Sequence, residues 1–231
     1  MKKVLLILFL LAQILLCSCS KKADSNYPEF PKTKWGMSMN ETLDAYKISK
    51  KDTSYYEEGL GFTLKGYKLF GEKTSEIIFS FIDLKDGNPV LCAVNVTYPD
   101  NTDMINVLKK MQKKYGKTIS AVTIYDLYQA IETKIPVRDY TESEHLKFWA
   151  DEPVIKYLPE KENEIYRDHW KPYQPGLNAE TWDTFTQNAR MVTVVWSDNG
   201  EFPSLEKNSL TFKAYNLIVY NFLKNRLSNQ K

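Results

Sequence analysis

The stretch EIIFSFIDLKDGNPVLCAVNVTY, residues 76–98, carries the strongest fold signal of the chain. Apolar side chains alternate with other residues in both halves, the period-2 pattern of strands with one buried face. These side chains are Ile77, Phe79 and Phe81, then Val90, Cys92, Val94, Val96 and Tyr98. Asp-Gly-Asn-Pro at 86–89 separates the halves and predicts a hairpin turn. The stretch therefore predicts two antiparallel strands, 76–84 and 90–98.

Helices are predicted on both sides of this hairpin. Ser38 and Glu41 fit a capping box, which predicts that a helix begins there. A less regular strand is expected over 61–70. Residues 102–115 give the clearest helix, because apolar residues recur at i, i+3, i+4, i+7 and i+11. These residues are Met104, Val107, Leu108, Met111 and Tyr115.

The second half of the chain mixes helical and strand patterns. Helices are predicted over 122–133, over 145–149 after a second capping-box pattern at Thr141 and Glu144, after Pro159, and after Asn178. Strands are predicted over 189–197 and 208–215, and residues 216–224 either extend the last strand or form a terminal helix. The order predicts an α+β fold, an antiparallel sheet of about five strands packed by helices, with a helical insertion. One domain over 34–231 is favoured, and a split near 117 is the alternative.

The amino terminus predicts where the protein is located in the cell. Two lysines precede an almost unbroken apolar run, 4–16, which is too short to span a bilayer and has the proportions of a signal-peptide core. Leu16-Cys17-Ser18-Cys19 resembles the lipobox of bacterial lipoproteins. The resemblance implies that residues 1–18 are removed, that Cys19 is lipidated, and that residues 19–33 form a tether. The chain would then be held on the extracytoplasmic side of a bacterial membrane, in the cell envelope. Inner and outer membrane both stay open.

A second resemblance concerns residues 34–98. Trp35-Gly36-Met37-Ser38 runs into a helix and then into antiparallel strands, which resembles the SmpA/OmlA-like and β-lactamase-inhibitor-protein-like modules of small envelope lipoproteins. In that pattern Gly-Met-Ser/Thr opens a helix that packs across a sheet. The resemblance implies a non-catalytic scaffold for protein contacts, and it transfers no catalytic residue.

Charge and reactive residues exclude several functions. The processed chain would have 29 basic and 29 acidic side chains, because the signal carries two of the 31 basic residues and no acid. This balance leaves no excess of basic side chains for binding nucleic acid. Two separate histidines, His145 and His169, form no zinc-ligand pattern, so no metal site and no cofactor are predicted. Cys92 is interpreted as a small buried hydrophobe. Carboxylates such as Asp151 and Glu152 leave a cryptic hydrolase open.

Aromatic residues supply the binding hypothesis. Trp149, Trp182, Phe185 and Trp196 are interpreted as core. Trp170 and Tyr173 lie in an irregular, proline-stiffened segment and, with Tyr166, are the candidate binding residues, because Trp and Tyr dominate interface hot spots. The leading hypothesis is a non-enzymatic envelope lipoprotein that binds the membrane through the lipid on Cys19 and recognises an envelope protein or a glycan. The alternative is a carbohydrate or small-solute binder that uses the 166–176 loop.

The two neighbouring cysteines give a matched test of the lipidation prediction. Cys19→Ser is expected to abolish incorporation of labelled fatty acid and to release the protein from the membrane fraction, because the modified thiol is lost. Cys17→Ser should leave both unchanged. Labelling and fractionation of cells that express each variant check this. Retained labelling in Cys19→Ser would contradict the prediction.

Overall fold

The computed structural model describes residues 27–49, 54–55, 60–84, 87–119, 143–158, 160–173, 176–200 and 207–228. In chain order the elements are α1 (Met39–Tyr46), β1 (Ser54–Tyr55), β2 (Gly61–Lys65), β3 (Lys68–Leu69), β4 (Glu72–Lys73), β5 (Glu76–Ile82), β6 (Val90–Thr97), α2 (Met104–Tyr115), β7 (Leu146–Ala150), α3 (Glu160–Trp170), α4 (Ala179–Asn188), β8 (Thr193–Ser197), β9 (Ser209–Lys213) and α5 (Tyr215–Ser228). Short 3₁₀ turns lie at Val154–Lys156 and Lys171–Tyr173.

The fold is α+β, as predicted. The main sheet has the strand order β1-β2-β5-β6-β9-β8-β7, and every adjacent pair is antiparallel. Six of its strands have five or more residues, and β1 adds a two-residue edge. The sheet is therefore larger than the five strands expected. Strands β3 and β4 form a separate two-stranded sheet.

The central hairpin contains a β-bulge. Ile77 pairs with Val96 and Phe79 with Val94, but the register shifts after Ser80, so that Phe81 pairs with Leu91. A bulge inserts one residue into one strand and so changes which side chains share a face. Leu91 is fully buried in the main core as a result. The prediction that Val90 lies on the core face is wrong for this reason, whereas Cys92 is buried, as predicted.

The main core is rich in aromatic rings. Phe79, which is fully buried, lies with its ring centroid 4.7 Å from Phe62, 5.2 Å from Tyr46 and 5.7 Å from Phe30. Helix α1 begins at the predicted capping box, with the Ser38 side chain accepting from the Glu41 amide. Helix α2 buries Met104, Val107 and Met111 in the same core, as predicted from their spacing.

A second core lies among helices α3, α4 and α5. It contains Tyr166, Trp182, Phe185, Met191 and Leu217, among others. Trp35 packs against both cores, which joins the amino-terminal segment to each of them. The core role predicted for the four aromatic residues holds, because Trp149, Trp182, Phe185 and Trp196 are all buried.

Two other sequence predictions have clear outcomes. Residues 146–150 form a strand and not a helix, because they pair with β8 along its whole length. A capping-box pattern is local, and cross-strand pairing outweighs it here. The terminal segment is helix α5, which resolves the alternative left open for 216–224. The helix predicted over 122–133 lies outside the described residues.

No helix in the described part of the chain is both long enough and apolar enough to cross a membrane. The sheet joins β6 to β9, and so combines strands from both sides of residue 117.

The two faces of β5 give a stability test. Phe79→Ala is expected to lower the free energy of unfolding by about 3–5 kcal/mol, because it removes a ring from a packed core. Ile78→Ala, one residue away on the half-buried face, should cost clearly less. Urea unfolding of both variants checks this, and equal losses would contradict the assigned register.

Candidate functional site

The structure places the sequence-predicted binding residues in different surroundings. Tyr166 is 2% exposed and lies in the second core, so its ring is covered by protein. Trp170 is half-buried and packs against the same core. Tyr173 lies in the 3₁₀ turn after α3, and its side chain is outside the described set. Cys19 lies outside the described residues. The binding and lipidation roles stay predictions.

A cavity of about 580 Å³ lies elsewhere, at the carboxyl end of β7. We call it the Tyr157 cavity. Its walls come from Thr118, Ile119, Ala150, Asp151, Glu152, Tyr157 and Arg190. Apolar groups, hydroxyls and charges of both signs therefore meet at one concave surface.

Backbone contacts between segments that are distant in sequence build this cavity. Ile119 donates its amide to the Phe148 carbonyl, which brings the segment after α2 to the edge of β7. Pro153 forms an isolated bridge with Arg190, where the chain leaves α4 for β8. The Val154 amide donates to the Ala189 carbonyl at 2.9 Å beside it. These contacts fix the walls on three separate parts of the chain.

Asp151 is the partly buried carboxylate of the cavity. Its Oδ1 accepts from the Val192 amide at 3.1 Å, and Arg190 Nη1 donates to the Asp151 carbonyl at 3.0 Å. Burial raises the pKa of Asp151, and its hydrogen bonds to Val192 and Tyr157, together with the Arg190 charge, oppose that rise. Oδ2 of Asp151 and Nε of Arg190 are buried without a hydrogen bond of standard geometry in the described part of the chain.

Two tyrosines surround this carboxylate. Burial raises the pKa of Tyr157 above its ordinary value, and the Asp151 charge raises it further. Burial and then Asp151 also raise the pKa of Tyr27. The Tyr27 and Tyr157 rings lie 5.8 Å apart between centroids. The first described residue of the chain therefore packs directly beside the cavity.

The second carboxylate of the cavity, Glu152, differs from Asp151 in its exposure and its partner. Glu152 is exposed and forms a salt bridge with Lys156 at 2.8 Å, and this partner lowers the pKa of Glu152. A hydrolase of the glycosidase type needs two carboxyl groups that face each other across a cleft. Asp151 and Glu152 are sequence neighbours, and each is already engaged by other groups.

A second cavity, of about 440 Å³, follows the amino-terminal segment. We call it the lysine cavity. Its walls include Lys32, Lys34, Lys114, Glu29 and Tyr115. The Tyr115 hydroxyl donates to the Glu29 carbonyl at 2.8 Å, which ties the segment to the end of α2. Three ammonium groups and one carboxylate give these walls a positive balance.

Histidines and metal ligands add no further site in the described part of the chain. His145 lies 2.9 Å from Asp198 between Nδ1 and Oδ1, at the surface. The His169 side chain lies outside the described set. Within the described residues, no group of three His, Cys, Asp or Glu side chains could hold a metal ion.

Comparison of the chain with models of protein families, with curated proteins and with solved structures finds no match. The resemblance of residues 34–98 to the envelope modules stays a prediction.

The sequence draws attention to the Asp151-Glu152 pair but not to Tyr157, Arg190 and Tyr27, which lie beside it. Arg190 lies at the start of the predicted strand 189–197 and Tyr157 precedes a predicted helix, so both lie near element ends, where functional side chains often collect. Tyr27 belongs to the predicted tether, and nothing in its composition indicated that its ring packs on the domain. Only tertiary structure brings these residues, separated by up to 163 positions, to one place.

Asp151 and Glu152 predict opposite effects of pH on stability. The pKa of Asp151 is raised on folding, so its contribution to stability is complete below its unfolded value near 3.8 and is lost as the pH rises through the folded value. The wild type should therefore lose stability as the pH rises above 3.8, and Asp151→Asn should abolish this decrease. Urea midpoints across a pH series check this.

Glu152→Gln is the matched control. The pKa of Glu152 is lowered on folding, so its contribution is lost as the pH falls, and removing it should change the acid side of the profile only. Parallel profiles for the wild type and Asp151→Asn would contradict the assigned environment of Asp151.

Proposed function

We propose that this chain is a lipid-anchored, non-enzymatic binding module on the extracytoplasmic side of a bacterial membrane. The observation that carries the proposal is the Tyr157 cavity, which lies against Tyr27, the first described residue of the predicted tether. Lipidation at Cys19 would supply the anchor, and two or three acyl chains suffice for stable membrane binding.

The amino-terminal segment supports an anchoring role. Trp35 Nε1 donates to the Pro28 carbonyl at 2.8 Å, and the Tyr115 hydroxyl donates to the neighbouring Glu29 carbonyl. The Tyr46 hydroxyl donates to the Pro31 carbonyl at 2.5 Å. Three aromatic side chains from different parts of the fold thus hold one short stretch of backbone. A tether attached here would therefore be joined directly to the packed domain.

The walls of the Tyr157 cavity support binding. The Tyr157 ring offers an apolar surface with a hydroxyl at its tip, a combination that is favoured at interfaces. Glu152 lies at the exposed margin, and Arg190 and Asp151 lie deeper. The deeper part of the cavity is therefore charged, and the Tyr157 ring supplies the apolar contact surface.

A carbohydrate or small polar solute is the second candidate ligand. The observation that favours it is the pair of buried polar atoms, Asp151 Oδ2 and Arg190 Nε, beneath the cavity wall. Buried polar atoms without partners cost free energy, so a small movement of the wall that admits hydroxyl groups would gain hydrogen bonds. This version moves the solute site from the 166–176 loop to the Tyr157 cavity.

Capture from envelope extract tests both versions. The processed chain without its lipid is immobilised and compared with Tyr157→Ala, with Tyr157→Phe and with Trp170→Ala/Tyr173→Ala. If Tyr157 is a hot spot, Tyr157→Ala should weaken binding by about 30-fold, the effect of losing about 2 kcal/mol. Tyr157→Phe keeps the ring and should lose less.

The identity of the retained material separates the candidates. A specific protein that depends on Tyr157 supports the interaction module, and a glycan that depends on Tyr157 supports the solute binder. Loss on the Trp170/Tyr173 substitutions alone would return the site to the 166–176 loop. Binding that no variant alters would contradict a site at either place. Thermal unfolding of each variant checks that the domain stays folded.

A further inference from the structure

We infer that the lysine cavity is a contact site for the phosphate groups of anionic phospholipids, so that the domain rests on its own membrane by this face. The inference rests on the proposed lipid anchor, because the anchor brings this face to the bilayer. The occupant is a lipid headgroup, recognised by charge and by its closeness to the tether.

Two of the three ammonium groups of the cavity lie over aromatic rings. Lys32 Nζ lies 5.3 Å from the ring centroids of both Tyr46 and Tyr67. Lys114 Nζ lies 5.4 Å from the centroid of Tyr115. Such cation–π contacts position an ammonium group without neutralising its charge. The charges therefore stay available to an anion.

Among the described residues, no carboxylate lies within salt-bridge distance of these lysines. In the described part of the chain the salt bridges join His145 to Asp198, Lys156 to Glu152, Arg167 to Asp168 and Lys207 to Asp100. Lys32, Lys34 and Lys114 form none of them. The processed chain would carry equal numbers of basic and acidic side chains, so this local excess of positive charge is a property of the face and not of the composition.

Lys114 is also partly withdrawn from water. Burial lowers the pKa of Lys114, and the Glu29 carboxylate offsets only part of that effect. A partly desolvated ammonium group without a salt bridge gains from an added anion. Lys110, one helical turn earlier in α2, extends the basic surface by lying over Gly71 of the β3–β4 sheet.

The length of the tether brings this face to the membrane. Tyr27 and Pro28 belong to the cavity wall, and Cys19 precedes Tyr27 by eight positions. Even a fully extended chain spans at most about 3.6 Å per residue, so Tyr27 lies within about 29 Å of a lipid attached at Cys19. Anionic phospholipids are therefore the anions closest to the cavity, which favours them over an acidic partner protein.

Vesicle binding of the processed chain without acyl groups tests the inference. Vesicles of phosphatidylcholine alone are compared with an equal mixture of phosphatidylcholine and phosphatidylglycerol. We expect binding to the mixture only, and binding should weaken as salt is added. Lys32→Gln/Lys34→Gln/Lys114→Gln should weaken it by about 100-fold, the product of about fivefold for each lysine.

The matched control is Lys147→Gln/Lys171→Gln/Lys207→Gln. It removes the same charge from residues that line neither cavity. Equal losses in the two triple variants, or no preference of the wild type for the anionic vesicles, would overturn the inference. Both cores lie within residues 27–223, so the processed chain carries the whole packed structure, and urea unfolding verifies that each variant keeps it.

The result is independent of the anchor. The chain used here has no acyl group, so failure to bind vesicles leaves lipidation at Cys19 untouched. Conversely, absence of fatty-acid labelling in the wild-type protein would refute the anchor without changing the vesicle result.

Discussion

The register of β5 against β6 is the constraint on which the rest of the structure depends. A strand that slips by one residue turns every side chain to the opposite face. Here the bulge after Ser80 lets Phe81 face Leu91 while Phe79 still faces Val94, so one continuous apolar surface runs through the hairpin. Helices α1 and α2 pack on that surface. β9 pairs with the other edge of β6 and carries β8 and β7 with it.

The amino-terminal segment depends on this core in turn. Phe30 is almost fully buried, and its ring packs against Phe79 and Phe212, which lie on two different strands of the sheet. The three hydrogen bonds from Trp35, Tyr46 and Tyr115 then hold the backbone on either side of it. The predicted tether therefore ends within the domain, and both cavities form beside its last residues. Anchoring and recognition are joined through the same few contacts.

Local patterns were sufficient for much of the fold. Capping at Ser38 and the spacing of apolar residues in α2 are properties of short segments, and both were predicted correctly. The strand 146–150 was mistaken for a helix because its evidence lies in β8, a partner almost fifty residues away. The bulge at Leu91 was missed because period-2 alternation assumes an unbroken ladder. The Tyr157 cavity was missed because Tyr27, Asp151 and Arg190 share no pattern in sequence.

Burial of Cys92 has a consequence for redox chemistry. Its Sγ lies 3.4 Å from the Ser80 carbonyl, and burial raises the pKa of the thiol to about 12. At neutral pH about one such thiol in a hundred thousand is ionised, and only the thiolate attacks a disulfide. In an oxidising compartment this cysteine would neither exchange with the disulfides of other proteins nor oxidise readily. Burial thus protects this thiol from crosslinking.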